Sequence, residues 1–201
     1  MAKKYASPAG KAVWPKISKP ETKFNPEGTY ETKLRLDAVE GGKFLQHIEQ
    51  IHDEHHDLEQ KKQGKTVKKH PLSVTHVEED GVPTGEIEFK FTLKAQAGKP
   101  GAKWAQRPVI FDSRGGMIKP DDISIGSGST IKVGYDINPW FSPALGAGIT
   151  LLLKSVQVID LKEFGGQDFD SFGFDKVDGF VAEDKEDTST DDEEPLHDSD
   201  F

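Results

Sequence analysis

The sequence predicts a mainly β protein, a small antiparallel barrel carrying one α-helix and followed by a disordered acidic tail. Three observations lead there. Several segments alternate apolar and polar residues with a period of two, the mark of half-buried strands. One segment, from Gly42 to Gln63, changes to helical spacing. Strands and helix do not alternate as they would around a parallel sheet, which leaves a barrel with an attached helix.

In chain order, residues 1–28 hold prolines at 8, 15, 20 and 26 among several lysines and read as an extended basic arm packing on the barrel. In TYETKLRLD, Tyr30, Thr32, Leu34 and Leu36 alternate with charged neighbours, as a strand does. Phe44, Ile48, Ile51, His55 and Leu58 then fall on one face of a helix spanning about 42–63, which Gly64 closes. KTVKKHP is a basic loop. GEIEFKFTLKA is the clearest strand, with Ile87, Phe89, Phe91 and Leu93 on one side and Glu88, Lys90, Thr92 and Lys94 on the other. AGKPGAKWAQRP and NPWFSP read as loops, and RPVIFD, STIKVGYDI and GAGITLLLKSVQVIDL as further strands. The period stops beyond Glu163. The expected division is therefore an arm (1–28), a barrel domain (29–166), and a Phe-containing bridge with an acidic tail (167–201).

The charge divides at the same place. Met1 to Lys162 holds 24 basic against 20 acidic residues, whereas Glu163 to Phe201 holds 2 against 15. A mildly basic body joined to a strongly acidic tail points to nucleic acid for the body and regulation for the tail. With no cysteine, disulfides and thiolate chemistry are excluded. No run of about 18 apolar residues suggests a membrane partner.

Catalytic patterns are weak. HIEQIHDEHHDLE places four histidines, His47, His52, His55 and His56, within ten residues. His52 and His56 have the spacing that shares a zinc ion, but Asp53 stands where a zincin helix needs glutamate and no third ligand is evident. IGSGST lacks the lysine of a phosphate-binding loop. The expectation is no enzyme, no metal and no cofactor. A His-helix hydrolase and an acidic-tailed protein-interaction module without DNA binding remain as alternatives.

The basic and aromatic residues say more. Lys90, Lys94 and Lys132 lie on the polar faces of their strands, and Trp104 and Trp140 sit in proline-bordered segments. Cations for phosphates and flat rings for bases are what sequence-tolerant binding of single strands requires. The other reading has the tryptophans capping the barrel ends.

The order and spacing of several segments resemble the single-stranded DNA-binding proteins of T-seven-type podoviral phages. They are the opening MAKK, Lys19-Pro20 followed by NPEGTYETKLRL, FKF at Phe89–Phe91, VIFDSRGGMI, GSGSTIKVGY, NPW, ALGAGITLLLKSVQVIDLKEFGG, and an acidic end closing on Phe201. The resemblance covers nearly the whole chain and is strongest from Val109 to Gly166. It implies an OB-fold barrel with an added helix, DNA binding without catalysis, strand annealing, and work in the cytoplasm of the infected bacterial host. It also implies homodimers and a tail that contacts the phage DNA polymerase and primase-helicase. Lys3, Lys132 and Trp140 match positions of the family pattern. Glu27 stands where the family has arginine and Thr92 where it has lysine, which shifts the expected cationic track to Lys90 and Lys94.

The expected DNA-binding set is thus Lys3, Lys90, Lys94, Arg107 and Lys132 on phosphates, with Trp140, Trp104 and Tyr135 stacking on bases. Asp191, Asp192, Glu193, Glu194, Asp198, Asp200 and Phe201 form the expected partner-binding tail, which mimics DNA and competes with it for the groove. Phe169, Phe172, Phe174 and Phe180 in the bridge have two readings, an ordered dimer contact or a sticky disordered link.

Overall fold

The computed structural model describes residues 5–163. Its strands are β1 (Tyr5–Ala6), β2 (Gly10–Glu21), β3 (Thr29–Leu36), β4 (Val74–Glu79), β5 (Val82–Lys94), β6 (Gln96–Lys99), β7 (Ala102–Ala105), β8 (Val109–Phe111), β9 (Met117–Ile118), β10 (Thr130–Ser142) and β11 (Gly146–Asp160), with helix α1 (Ala38–Gln63) between β3 and β4.

Five of these strands close on themselves. β2 pairs antiparallel with β3, and β3 with β5. β5 lies parallel to β11, Thr92 beside Leu152. β11 pairs antiparallel with β10, and β10 returns to β2 through Thr130–Lys11 and Ile131–Gly10. Numbering the five staves in chain order, the circuit runs 1-2-3-5-4-1. This is an OB fold, a Greek-key barrel whose second and third strands offer an outer face.

Alternation fills the inside. Leu34, Phe89, Phe91, Ile131, Val133, Leu153 and Val156 point inward and are fully buried, while their sequence neighbours face out. Helix α1 packs on this core with Phe44 and Ile48, the Phe44 ring edge-on to Phe89 at 4.7 Å.

The structure differs from the sequence reading in six places. The residues read as an arm laid on the barrel supply one of its staves instead. Proline has no N–H to give a ladder, so the β2–β3 register shifts on either side of Lys16, in the segments that hold Pro15 and Pro20. The helix begins at Ala38, earlier than Gly42, because Asp37 caps it and accepts from the N–H groups of Val39 and Glu40, both at 2.9 Å. Its buried stripe runs Gly41, Phe44, Ile48, His52 and Glu59, so Leu58, assigned to the inner face, is 64% exposed. β4 was not foreseen, and the NPWFS segment read as a loop completes β10. Finally, the Gly/Pro stretch read as a loop is the β6–β7 hairpin.

Candidate nucleic-acid interface

Antiparallel register partners project to the same side of a sheet, so the outer face can be assembled row by row. Lys33 of β3 lies opposite Lys90 of β5, and Val13 of β2 opposite Lys33. The next row runs from Lys16 through Glu31, Thr92 and Leu152 to Asp136. Lys94 lies opposite Thr29 at one end. Lysines thus recur across the whole face.

Carboxylates thread between them. Lys90 Nζ is 2.9 Å from Glu31, and Lys154 Nζ 3.6 Å from Asp136. Glu88 is nearly buried and accepts from both Lys33 (3.0 Å) and Arg35 (2.8 Å). Burial pushes the Glu88 carboxyl up, but the Arg35 and Lys33 hydrogen bonds outweigh it and hold the group below its ordinary value. A face built this way is held in shape by its own acids, and only part of its cationic charge is neutralised.

Aromatic rings stand at both ends, exposed at one and half-buried at the other. At the Lys94 end, the β2–β3 loop presents Phe24, 86% exposed, with the Lys23 ammonium 5.5 Å from its ring centroid. The β6–β7 hairpin joins that loop through an ion pair between Lys103 and Glu27, and carries Trp104, 60% exposed. At the opposite end of the sheet, where β11 begins, Trp140 lies across the ladder from Gly148. Its Nε1 donates to Thr150 Oγ1 at 3.1 Å, and His70 meets it edge-on at 4.9 Å. A Cβ on Gly148 would stand 2.4 Å from the Trp140 ring, so only glycine lets the indole lie flat on the strand. Gly98 serves Trp104 in the same way, at 2.8 Å.

The expected site residues divide accordingly. Lys90, Lys94, Trp104 and Trp140 come together on the face or at its ends, with both tryptophans on strands rather than loops. Arg107 and Lys132 are exposed but belong to the next sector, where β8 replaces β5 beside β11 and Lys132 lies opposite Gln157. Tyr135 is a correction. It is 2% exposed, stacks on Tyr5 at 5.4 Å and meets Phe44 and Phe91 edge-on, so it is a core ring that no base can reach. The register shift beside it leaves Lys154 of β11 without a ladder partner, so that Leu153 and Val156 both face inward. Lys3 and the tail residues Asp191 to Phe201 lie outside the described residues, as does the bridge.

The sequence reading missed Lys33, Arg35, Phe24 and Trp14. The first two were available, because assigning Leu34 and Leu36 to the core already turned their neighbours outward.

The histidines belong to the frame. Three Nε2 atoms meet backbone carbonyls: His52 with Ala147 (3.3 Å), His55 with Trp140 (2.9 Å) and His56 with Val67 (2.8 Å). The Nε2 atoms of His52 and His56 are thereby engaged with the backbone, and among the described residues no group of three ligating side chains could hold a metal. Their role is to bind α1 to the β10–β11 hairpin and the segment before β4.

An OB barrel whose outer face carries lysines between aromatic rings belongs to the oligonucleotide- and oligosaccharide-binding folds. The pattern of the family described as "Single-stranded DNA-binding protein, Bacteriophage T7" matches residues 9–161, and this chain belongs to that family. The single-stranded DNA-binding protein of Enterobacteria phage T3 is 32% identical over 117 residues, 58% of this chain and 50% of that protein. Its counterpart in Escherichia phage T7 is 32% identical over 105 residues, 52% of this chain and 45% of that protein. The chain thus matches about half the length of these curated relatives. The crystal structure of gp2.5, a single-stranded DNA-binding protein encoded by bacteriophage T7, superposes with a TM-score of 0.68 at 26% identity, covering 91% of this chain and all of that one. The single-stranded DNA-binding protein of bacteriophage Enc34 in complex with single-stranded DNA shares the fold, with a TM-score of 0.58 at 16% identity over 81% of this chain and 89% of that one.

Proposed function

We propose that this chain coats single-stranded DNA without sequence preference during phage replication, acting as a binding protein and not as an enzyme. One observation carries the reading: the lysine-bearing outer face of β3 and β5, where OB folds hold oligonucleotides, is bracketed by Trp104 and Phe24 at one end and Trp140 at the other. Lys90 and Lys94 neutralise phosphates along that face, with Lys33 beside them. Arg107, Lys132 and Lys3 extend the cationic track. The membership of the family supports the same activity.

The finer roles rest on the family resemblance and on charge. The chain promotes annealing of complementary strands and works as a homodimer in the cytoplasm of the infected host. The acidic tail ending in Phe201 competes with DNA for the cationic face. Once displaced, it is free to engage the phage DNA polymerase and primase-helicase, and tethering gives it an effective concentration that makes this competition felt.

The deciding experiment is fluorescence anisotropy of labelled oligo-dT against the full chain at low and moderate salt. Affinity should fall with salt, with a log–log slope of about −0.7 for each phosphate contacted. A chain that ignores DNA in dilute buffer yet captures basic proteins would be the acidic-tailed interaction module instead.

A further inference from the structure

The most strained aromatic among the described residues lies on β2, off the β3–β5 face. Trp14 is 71% exposed and adopts φ 48°, a left-handed conformation that bulky side chains seldom take. Trp14 and Pro15 together stand opposite Thr32, since Val13 pairs with Lys33 and Lys16 with Glu31. They form a bulge, a device that re-aims a side chain. The Trp14 N–H donates to Ser127 Oγ at 3.0 Å, which fixes the bulge against the IGSGS loop. A folded chain retains such an outlier only when its surroundings impose it, and these outliers gather at ligand sites.

Trp14 borders an open cavity of about 700 Å³ whose charged lining is Lys11, Arg35 and Lys162 against Glu86 and Glu163. Lys11 donates to Thr130 Oγ1 at 2.8 Å, and Arg35 is anchored by Glu88 at 2.8 Å. Lys11 and Arg35 are therefore held at fixed positions in the lining they share with the ring. The cavity also continues the main face, because Lys11 lies opposite Arg35 and Val13 opposite Lys33, which in turn lies opposite Lys90.

We infer that this cradle is a second nucleotide site, in which Trp14 stacks on one base and Lys11 and Lys162 take the adjoining phosphates of a strand leaving the β3–β5 face across β2. The inference rests on the single-strand reading above and extends its footprint by a strand.

The test measures binding of the full-length chain to oligo-dT of about 8 and about 24 nucleotides, lengths that bracket the span of one OB barrel. Trp14→Gly accepts the positive φ, so it removes the ring without added strain, and Trp14→Phe returns a ring. Trp14→Gly should weaken the long oligonucleotide about tenfold, as expected for one lost stack. It should leave the short one unchanged, and Trp14→Phe should recover most of the loss. Equal affinity at both lengths overturns the cradle, as does equal loss at both. Tighter binding by Trp14→Gly also overturns it, and assigns the cavity to an acidic segment of the chain itself. If wild-type protein binds neither length, the cradle and the single-strand reading fall together; if Lys90→Ala weakens both lengths while Trp14→Gly weakens neither, only the cradle falls.

Discussion

His55 Nε2 lies 2.9 Å from the carbonyl oxygen of Trp140, so a helix side chain holds the backbone of the residue whose ring closes one end of the interface. The imidazole must present an N–H there, since a carbonyl only accepts. Replacing His55 by alanine removes one hydrogen bond, with a net contribution of about 1 kcal/mol. We expect oligo-dT affinity to fall about fivefold, together with a smaller tryptophan quench on binding, while the circular dichroism spectrum stays unchanged. Unaltered affinity with a lowered melting temperature would mean that the contact serves only the fold.

Glu31 restrains Lys90 across the β3–β5 ladder at 2.9 Å. Glu31→Gln keeps the shape and deletes the charge. DNA affinity at low salt should rise a few-fold, and the salt slope should steepen by about 0.7 if the freed lysine takes one more phosphate. A slope that does not move places Lys90 outside the DNA path.

Stability should decline with acid in two stages. Burial pushes His52 below its ordinary value against the opposing hydrogen bond to the Ala147 carbonyl. The unfolded chain then binds the extra proton first, so stability rises with pH across this window. The His52 contribution is complete above pH of about 6.5 and is lost as pH falls through the lower folded value. Glu88, also held down, follows from about 4.3 downward. Thermal melting at a series of pH values should show both declines, and His52→Gln should erase the first. A variant that keeps the first decline would assign it to another group.

Removing Thr188 to Phe201 should tighten DNA binding and abolish contact with the polymerase. Changing Phe201 alone to alanine should weaken the polymerase contact and spare DNA affinity. Anisotropy with oligo-dT and a pull-down on polymerase measure the two effects separately. If the truncated chain binds DNA no more tightly, the tail does not compete for the face.

Strand periodicity made most of the barrel legible. Phe89, Phe91, Leu93 and Leu34 were placed inside from alternation alone, and Lys90 and Lys94 outside by the same rule. Alternation would also have placed Tyr135 inside, two residues after Val133; the surface role came from treating the ring by type and not by its place. Proline misled twice. Pro15 and Pro139 suggested an arm and a loop, but each lies within a strand, Pro139 opposite Ile149 in the β10–β11 ladder. The histidines were illegible for another reason. Their partners are carbonyls of residues as distant in sequence as Ala147 and Trp140, and a backbone oxygen leaves no trace in a motif. The Trp14 bulge was hidden likewise, because a positive φ belongs to the tertiary setting and not to the residue.

The first stave of the barrel is closed by a strand that begins about 120 residues later, through Gly10 with Ile131 and Lys11 with Thr130. A nascent chain leaving the ribosome can zip β2 to β3 early. It must then wait, with the other edge of β2 unpaired, until almost the whole domain has been synthesised. Pairings of such long range make folding slow and leave an open edge that invites association with other chains. A peptide inserted just ahead of Gly10 would therefore burden the strand on which closure depends.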